Sequence, residues 1–336
     1  MDLKRRLCAA VVVGAGCVPT IASAQDSGRW YDDPDAIVTL TVENDLFANT
    51  DRHYTNGIRL SWLSSEGRIP EWVNDAADWF PLFPEGGKRR VSFSLGQSMF
   101  TPRDISIDPP ESDDRPYAGF LYGGVGLVSD TGSRLDTLEL QLGVVGPASL
   151  AEETQKFVHT ITGSQQPKAW DTQLENEPAI VLTYERKWRG LWEFSPFGFG
   201  ADITPHVGGS IGNVYTHAAA GFMLRIGEDL PSDYGPPRIR PSLPGSDFFV
   251  PTQSFGWYLF AGVEGRAVAR NIFLDGNTFE DSRSVDKKHF IGDAQAGIAV
   301  TFSGVRLAYT HIFRTKEFDG QDKPDQFGAV SVSFRF

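Results

Sequence analysis

Residues 136–144 read D-T-L-E-L-Q-L-G-V. Leu138, Leu140, Leu142 and Val144 fall on one face of an extended chain, while Thr137, Glu139 and Gln141 fall on the other, because strand side chains switch faces at every residue. The same period recurs along the sequence. Val38, Leu40 and Val42 alternate with Thr39, Thr41 and Glu43, and Ile58, Leu60 and Trp62 with Arg59 and Ser61. Phe222, Leu224 and Ile226 alternate with Met223 and Arg225, and Val305, Leu307 and Tyr309 with Arg306 and Thr310. One face is apolar and the other carries charge. A soluble all-β fold buries the apolar face; a membrane barrel points it at lipid and closes to remove unsatisfied edges.

Alternation alone does not choose between them, but the two ends of the chain do. Lys4-Arg5-Arg6, the apolar run Leu7–Val18 and Ala22-Ser23-Ala24 make a secretory signal peptide over residues 1–24. Its apolar run is far short of the ~20 residues that span a bilayer as a helix. The last residues, Val330-Ser-Val332-Ser-Phe334-Arg-Phe336, are an alternating strand that stops on an aromatic. This ending resembles the terminal signature of bacterial outer-membrane proteins. The expectation is a transmembrane antiparallel β-barrel of about twelve strands over residues 25–336, a single domain. Strands are expected near 36–47, 54–65, 90–99, 116–128, 134–145, 178–188, 193–207, 214–227, 254–270, 289–302, 305–314 and 326–336. Two long links, 66–88 with a Pro70–Phe80 helix and the Pro-rich 228–253, fall on the periplasmic side.

Both cysteines, Cys8 and Cys17, lie in the leader. The exported chain therefore has no disulfide, thiol nucleophile or cysteine-held metal. Loss of the leader takes away one acid and three bases and moves the formal charge from −12 to −14. That balance excludes a nucleic-acid partner, which demands basic surface.

Chemistry concentrates in two places. Val42–Gly57 reads V-E-N-D-L-F-A-N-T-D-R-H-Y-T-N-G. It sets Asn44-Asp45 at the end of the first strand and Thr55-Asn56-Gly57 at the start of the second. Carboxylate, amide and hydroxyl oxygens gathered this way suit a hard cation such as calcium; the same residues are also common turn formers. By alternation Asn44 and Asn56 face lipid and Asp45 and Thr55 the lumen, unless a bulge near the rim shifts them. The second cluster is a helix over Pro147–Gly163, with Ser149 and Glu152 spaced as a capping box. Gln155 and His159, four apart, share one face of it. A histidine on a loop helix is also, commonly, a plain surface residue. Gly208-Gly-Ser210-Ile-Gly212 fits G-x-S-x-G but lacks the strand–turn–helix setting of a nucleophile elbow and reads as a loop tip. The other histidines are scattered.

Six ordered motifs together resemble the lipid A 3'-O-deacylase (LpxR-like) family. They are E-N-D at Glu43–Asp45, D-R-x-Y-T-N-G at Asp51–Gly57, D-R-P-Y-A-G-F at Asp114–Phe120, G-P-A-S at Gly146–Ser149, Q-x-x-x-H at Gln155–His159, and P-K-x-W-D-x-Q-L-x-x-E-P at Pro167–Pro178. The resemblance implies a twelve-stranded outer-membrane barrel that removes the 3'-linked acyloxyacyl chain of lipid A, in the outer leaflet, with Ca2+ as cofactor. It implies an active-site set of His159, Gln155, Asn44, Asp45 and Thr55. His159 would be the base that activates water, and Asn44, Asp45 and Gln165 the metal ligands. Gln165 stands where the family can carry a metal-binding Glu, and the 101–113 loop lacks a Lys. Arg115 and Lys168, with Asp114, would meet the lipopolysaccharide headgroup. The competing expectations are a non-enzymatic barrel, such as a small porin, and a barrel phospholipase.

Overall fold

The computed structural model describes residues 35–48, 53–67, 69–80, 82–83, 86–239, 241 and 246–336. The proposed leader lies outside them. Twelve long strands form the wall: β1 Ile37–Asn44, β2 His53–Leu63, β3 Lys88–Thr101, β4 Ala118–Asp130, β5 Arg134–Val145, β6 Glu177–Trp188, β7 Gly200–Gly212, β8 Tyr215–Glu228, β9 Phe255–Asn271, β10 Phe290–Phe302, β11 Val305–Arg314 and β12 Asp325–Arg335. Each pairs antiparallel with its sequence neighbour, and β1 pairs with β12 from Ile37↔Arg335 to Asn44↔Gly328. The sheet is a closed barrel, so no edge is left for lipid to satisfy.

Exposure settles which face is inside. Leu40, Ile58, Leu60, Phe93, Leu95, Val125, Leu142, Ile180, Phe222 and Leu307 are exposed, whereas Thr39, Thr41, Arg59, Glu139, Gln141, Arg225 and Arg306 are buried. A polar interior inside an apolar belt is the inverse of a soluble core and the arrangement a bilayer requires.

The expected periplasmic link 228–253 is a correction: part of it enters the barrel. Asp233 meets Arg225, Arg306 and the Tyr258 hydroxyl, all from the inner wall. Tyr234 donates to Asp130 at 2.7 Å, and Arg59 donates to Asp247 at 3.1 Å. The Arg238 guanidinium donates to Glu43 at 2.6 Å and to Gln295 at 2.8 Å, and the Ile239 amide donates to Glu43 at 3.0 Å. An inner wall lined with charge cannot be packed by an apolar plug. A Pro-rich segment with its own Arg and Asp supplies partners instead. Glu43, the first residue of E-N-D, thus ties the plug to the strand that carries Asn44. Arg238→Ala strands that buried carboxylate, so it should cost about 3–5 kcal/mol, read as a lower unfolding midpoint in detergent.

A second correction concerns residues 193–212. A short ribbon, Trp192–Phe194, and a turn precede β7, which runs to Gly212. Gly208–Gly212 is therefore strand, not loop tip. A Cβ at Gly212 would lie 2.0 Å from the Ile180 carbonyl oxygen, so glycine lets β6 and β7 approach. Ser210 is buried and shares a hydrogen bond with Thr183, which leaves no nucleophile elbow. The expected helix at 70–80 is present as α1, Glu71–Trp79.

Candidate active site

The ends of β1 to β4 away from the chain termini carry one continuous rung, Asn44↔Asn56↔Met99↔Gly119. Counting in twos from the exposed Leu40, Ile58, Leu95 and Val125 puts all four on the lipid-facing side. Two amides thus stand at the top of an apolar wall, where polar groups are tolerated only near headgroup level.

A bulge then adds a hydroxyl. The pairing of β2 with β3 shifts register between Tyr54 and Asn56. Below the shift, even-numbered residues of β2 face lipid; above it, the sense reverses. Tyr54 turns inward to pack on Phe100 and Phe327. The Thr55 hydroxyl instead meets that of Thr101, 2.7 Å away on the outer face. This is the parity change that the alternation argument left conditional on a bulge.

The helix of the second cluster, α2, runs Ala151–Thr162 and packs on the outside of β3 and β4, at the Met99 and Gly119 end of this rung. Its start packs on Gly119, where a Cβ would come within 2.0 Å of Ser149 Oγ and 2.4 Å of Ala151 Cβ. Ala151 also shares a buried cluster with Met99, Ile105, Tyr117, Ala169 and Trp170, and the Gln97 amide donates to the Ser149 carbonyl at 2.7 Å. The glycine of D-R-P-Y-A-G-F is the seat of the helix. The capping box does not form. Pro147–Ser149 makes a 3-10 turn, Leu150 takes φ 58°, and no side chain caps the helix. The helix ends at Gly163, whose φ of 72° suits glycine.

The helix is inverted relative to a soluble one. Gln155 and His159 face the wall at 2% and 4% exposure, while Leu150, Phe157 and Ile161 point outward. His159 Nδ1 lies 2.5 Å from the Gln165 carbonyl oxygen. A carbonyl can only accept, so Nδ1 carries the proton and Nε2 is left as the acceptor. Indole Nε1 can only donate, and Trp170 donates to Gln155 Oε1 at 2.7 Å. That fixes the amide orientation. The Gln155 Nε2 group is buried and has no hydrogen-bond partner among the described residues. One turn of helix therefore presents a bare imidazole acceptor beside an unused amide donor.

The remaining expected residues are placed as follows. Asp45, buried, opens a 3-10 turn, Asp45–Ala48, whose Phe47 lies against Gly328 of β12. Gln165 exposes its side chain and contributes its carbonyl to His159. Lys168 is exposed; with Arg103 it helps Ser106, the larger influence, hold the Asp104 carboxyl below its ordinary range. Arg115 corrects the headgroup expectation. It is fully buried, with its guanidinium 4.7 Å from the Phe100 ring centre and 3.6 Å from Glu317. The resemblance implied a headgroup contact, but the guanidinium lies against Phe100, an inward residue, on the lumen side. Asn44, Asp45 and Thr55 offer the oxygen donors that calcium takes. Among the described residues, no group of three or more His, Asp and Glu could hold a metal ion by itself. The match to a hard cation therefore rests on the type of these oxygen donors alone.

His53, set aside as scattered, braces this rim. Its Nδ1 lies 2.7 Å from Asp325 and its Nε2 3.7 Å from Asp114, at a φ of 65°. It joins the first hairpin to the loop before β4 and to the start of β12. The only sequence signal for it was its place inside the motif at Asp51–Gly57.

Residues 7–336 match the family described as Outer membrane protein LpxR. The chain belongs to the LpxR family. It is an outer-membrane barrel of that family, as the resemblance implied. LpxR from Salmonella typhimurium has the same fold at a TM-score of 0.71 and 21% identity, covering 89% of this chain and all of that one. The Bordetella autotransporter BrkA β-domain follows at 10% identity and a TM-score of 0.43, covering 90% of this chain and 98% of that domain. Compared by sequence with curated proteins, the chain matches none. At 21% identity the Salmonella structure supports the fold of this LpxR-family chain and leaves its chemistry to its own residues.

Trp170→Phe keeps an aromatic side chain, though a smaller one, and removes the N–H. The Gln155 amide is then free to flip, and kcat should fall about tenfold (~1.4 kcal/mol) with KM little changed. Combined with Gln155→Ala, the two losses should not add, which a double-mutant cycle of kcat would show.

Proposed function

We propose that the chain is a lipid A 3'-O-deacylase, an ester hydrolase that removes the 3'-linked acyloxyacyl chain in the outer leaflet. The observation that carries this reading is the imidazole of His159, buried beneath a helix that packs on β3 and β4 from outside the wall, with Nδ1 committed to the Gln165 carbonyl. A base held outside the barrel in this way suits an ester in the lipid layer rather than a solute in the lumen.

His159 Nε2 takes a proton from water as the water oxygen attacks the ester carbonyl carbon. The Gln155 amide donates to that water or to the oxyanion that forms. The imidazolium then returns its proton to the departing sugar 3'-oxygen, giving one carboxylic acid and one alcohol. Calcium held by Asn44 and Asp45 would supply Lewis-acid polarisation of the carbonyl. Thr55 borders these residues, and its hydroxyl is already shared with Thr101.

The lumen bears on the porin alternative. The 228–253 link, tied to Arg59 and Arg306 of the inner wall and through Arg238 to Glu43, enters the lumen, which argues against an open pore. The test against a phospholipase is a mixed-lipid incubation with purified protein and calcium, followed by mass spectrometry of both pools. Lipid A lighter by one acyloxyacyl chain, with intact glycerophospholipids, supports the proposal. The converse pattern makes the protein a phospholipase.

A further inference from the structure

At the end of the barrel that holds both termini, a patch of the outer wall is polar. Arg89, Asp136, Tyr184 and Arg186 have the same parity as the exposed Phe93, Leu140 and Leu182 and so point outward. Asp136 is nonetheless fully buried, held by Arg134 at 2.9 Å, Arg186 at 2.6 Å and the Tyr184 hydroxyl at 2.5 Å. The link that contains α1 lies across this patch. Arg89 donates to the Asn74 carbonyl and pairs with Asp78, Arg186 donates to the Leu82 carbonyl at 2.6 Å, and Phe80 packs on Tyr184. Charges at lipid parity are tolerable only at or beyond the headgroups. That fixes the depth of α1.

A helix turns 100° per residue, so Asn74, Ala77 and Asp78 form one stripe, toward the wall. Trp72 and Trp79, seven apart, form the stripe opposite, and they are 72% and 91% exposed. Two indoles on a nine-residue helix, aimed away from the barrel at headgroup depth, have the amphipathic character of interfacial anchors. They continue the apolar belt of the barrel onto a segment that does not span. The flanking Glu71 and Asp75 are acidic, which disfavours anionic lipid and leaves zwitterionic phospholipid as the partner.

We propose that α1 is a membrane anchor, its Trp72–Trp79 stripe seated among zwitterionic phospholipid headgroups of the leaflet at the terminus end. Its link attaches to β3 and β6, while α2 covers β3 and β4, so the two helices share a sector of wall. The anchor sets the depth of that sector.

The test uses the full mature chain folded in phosphatidylcholine vesicles. Trp72→Cys and Trp79→Cys, made separately, take nitroxide labels, since the chain after residue 24 has no other thiol. Labels at both positions should collide with oxygen more readily than with a water-soluble nickel chelate, in contrast to a label at the exposed Asp319. Nickel accessibility equal to that of the Asp319 label overturns the proposal. If either variant fails to fold, native tryptophan emission is read in brominated phosphatidylcholine instead. A Trp72→Phe, Trp79→Phe double variant should lose part of the wild-type quenching; quenching as strong as wild type also overturns it.

Discussion

Replacement of His159 by alanine is expected to lower the rate of acyl release by roughly 10²–10⁴-fold, the range contributed by a positioned general base, while the barrel stays folded. The side chain sits on a helix outside the wall, and among the described residues its ring makes one hydrogen bond, to Gln165. Removing it leaves the strand pairing untouched. The loss should appear in kcat, because water activation belongs to the transition state and not to lipid binding. Heat-modifiable mobility on a gel, unchanged from wild type, separates this from misfolding. Equal kcat in the two proteins would remove His159 from the mechanism.

Removal of calcium is expected to be comparable in size. A chelator should lower turnover by about 10²–10³-fold, the scale of a lost oxyanion contact, and excess calcium should restore it. Asp45→Ala should shift the calcium concentration for half-maximal activity upward by at least about tenfold. Asn44→Ala should do the same more weakly, since a neutral amide is lost in place of a carboxylate. Full activity in chelator would leave Asn44 and Asp45 as rim residues and return the oxyanion to the Gln155 amide alone.

Most of the wall could be read from the chain because a strand has a period of two and each slip costs a whole face. Leu138, Leu140 and Leu142 identified their strand without help, and the inverse burial of Glu139 and Gln141 follows from it. The α2 pairing of Gln155 with His159 was equally local. What escaped was set by partners far along the chain. Arg238 and Glu43 are separated by 195 positions, and nothing near either shows that a Pro-rich link would turn into the lumen. Thr55 depended on a single inserted residue, which periodicity cannot locate. Trp170 stands in the sequence only as one letter of the Pro167–Pro178 motif, because its bond to Gln155 is made by the fold of the loop. Gly208–Gly212 was misread because glycine marks a turn in sequence but here serves close strand approach.

The most direct test is the mass spectrum of lipid A from otherwise identical cells that carry the wild-type chain or its His159→Ala variant at equal levels in the outer membrane. The account predicts that wild type alone produces a species lighter by one acyloxyacyl chain. The same species in both strains, or in neither when calcium is plentiful, would contradict it.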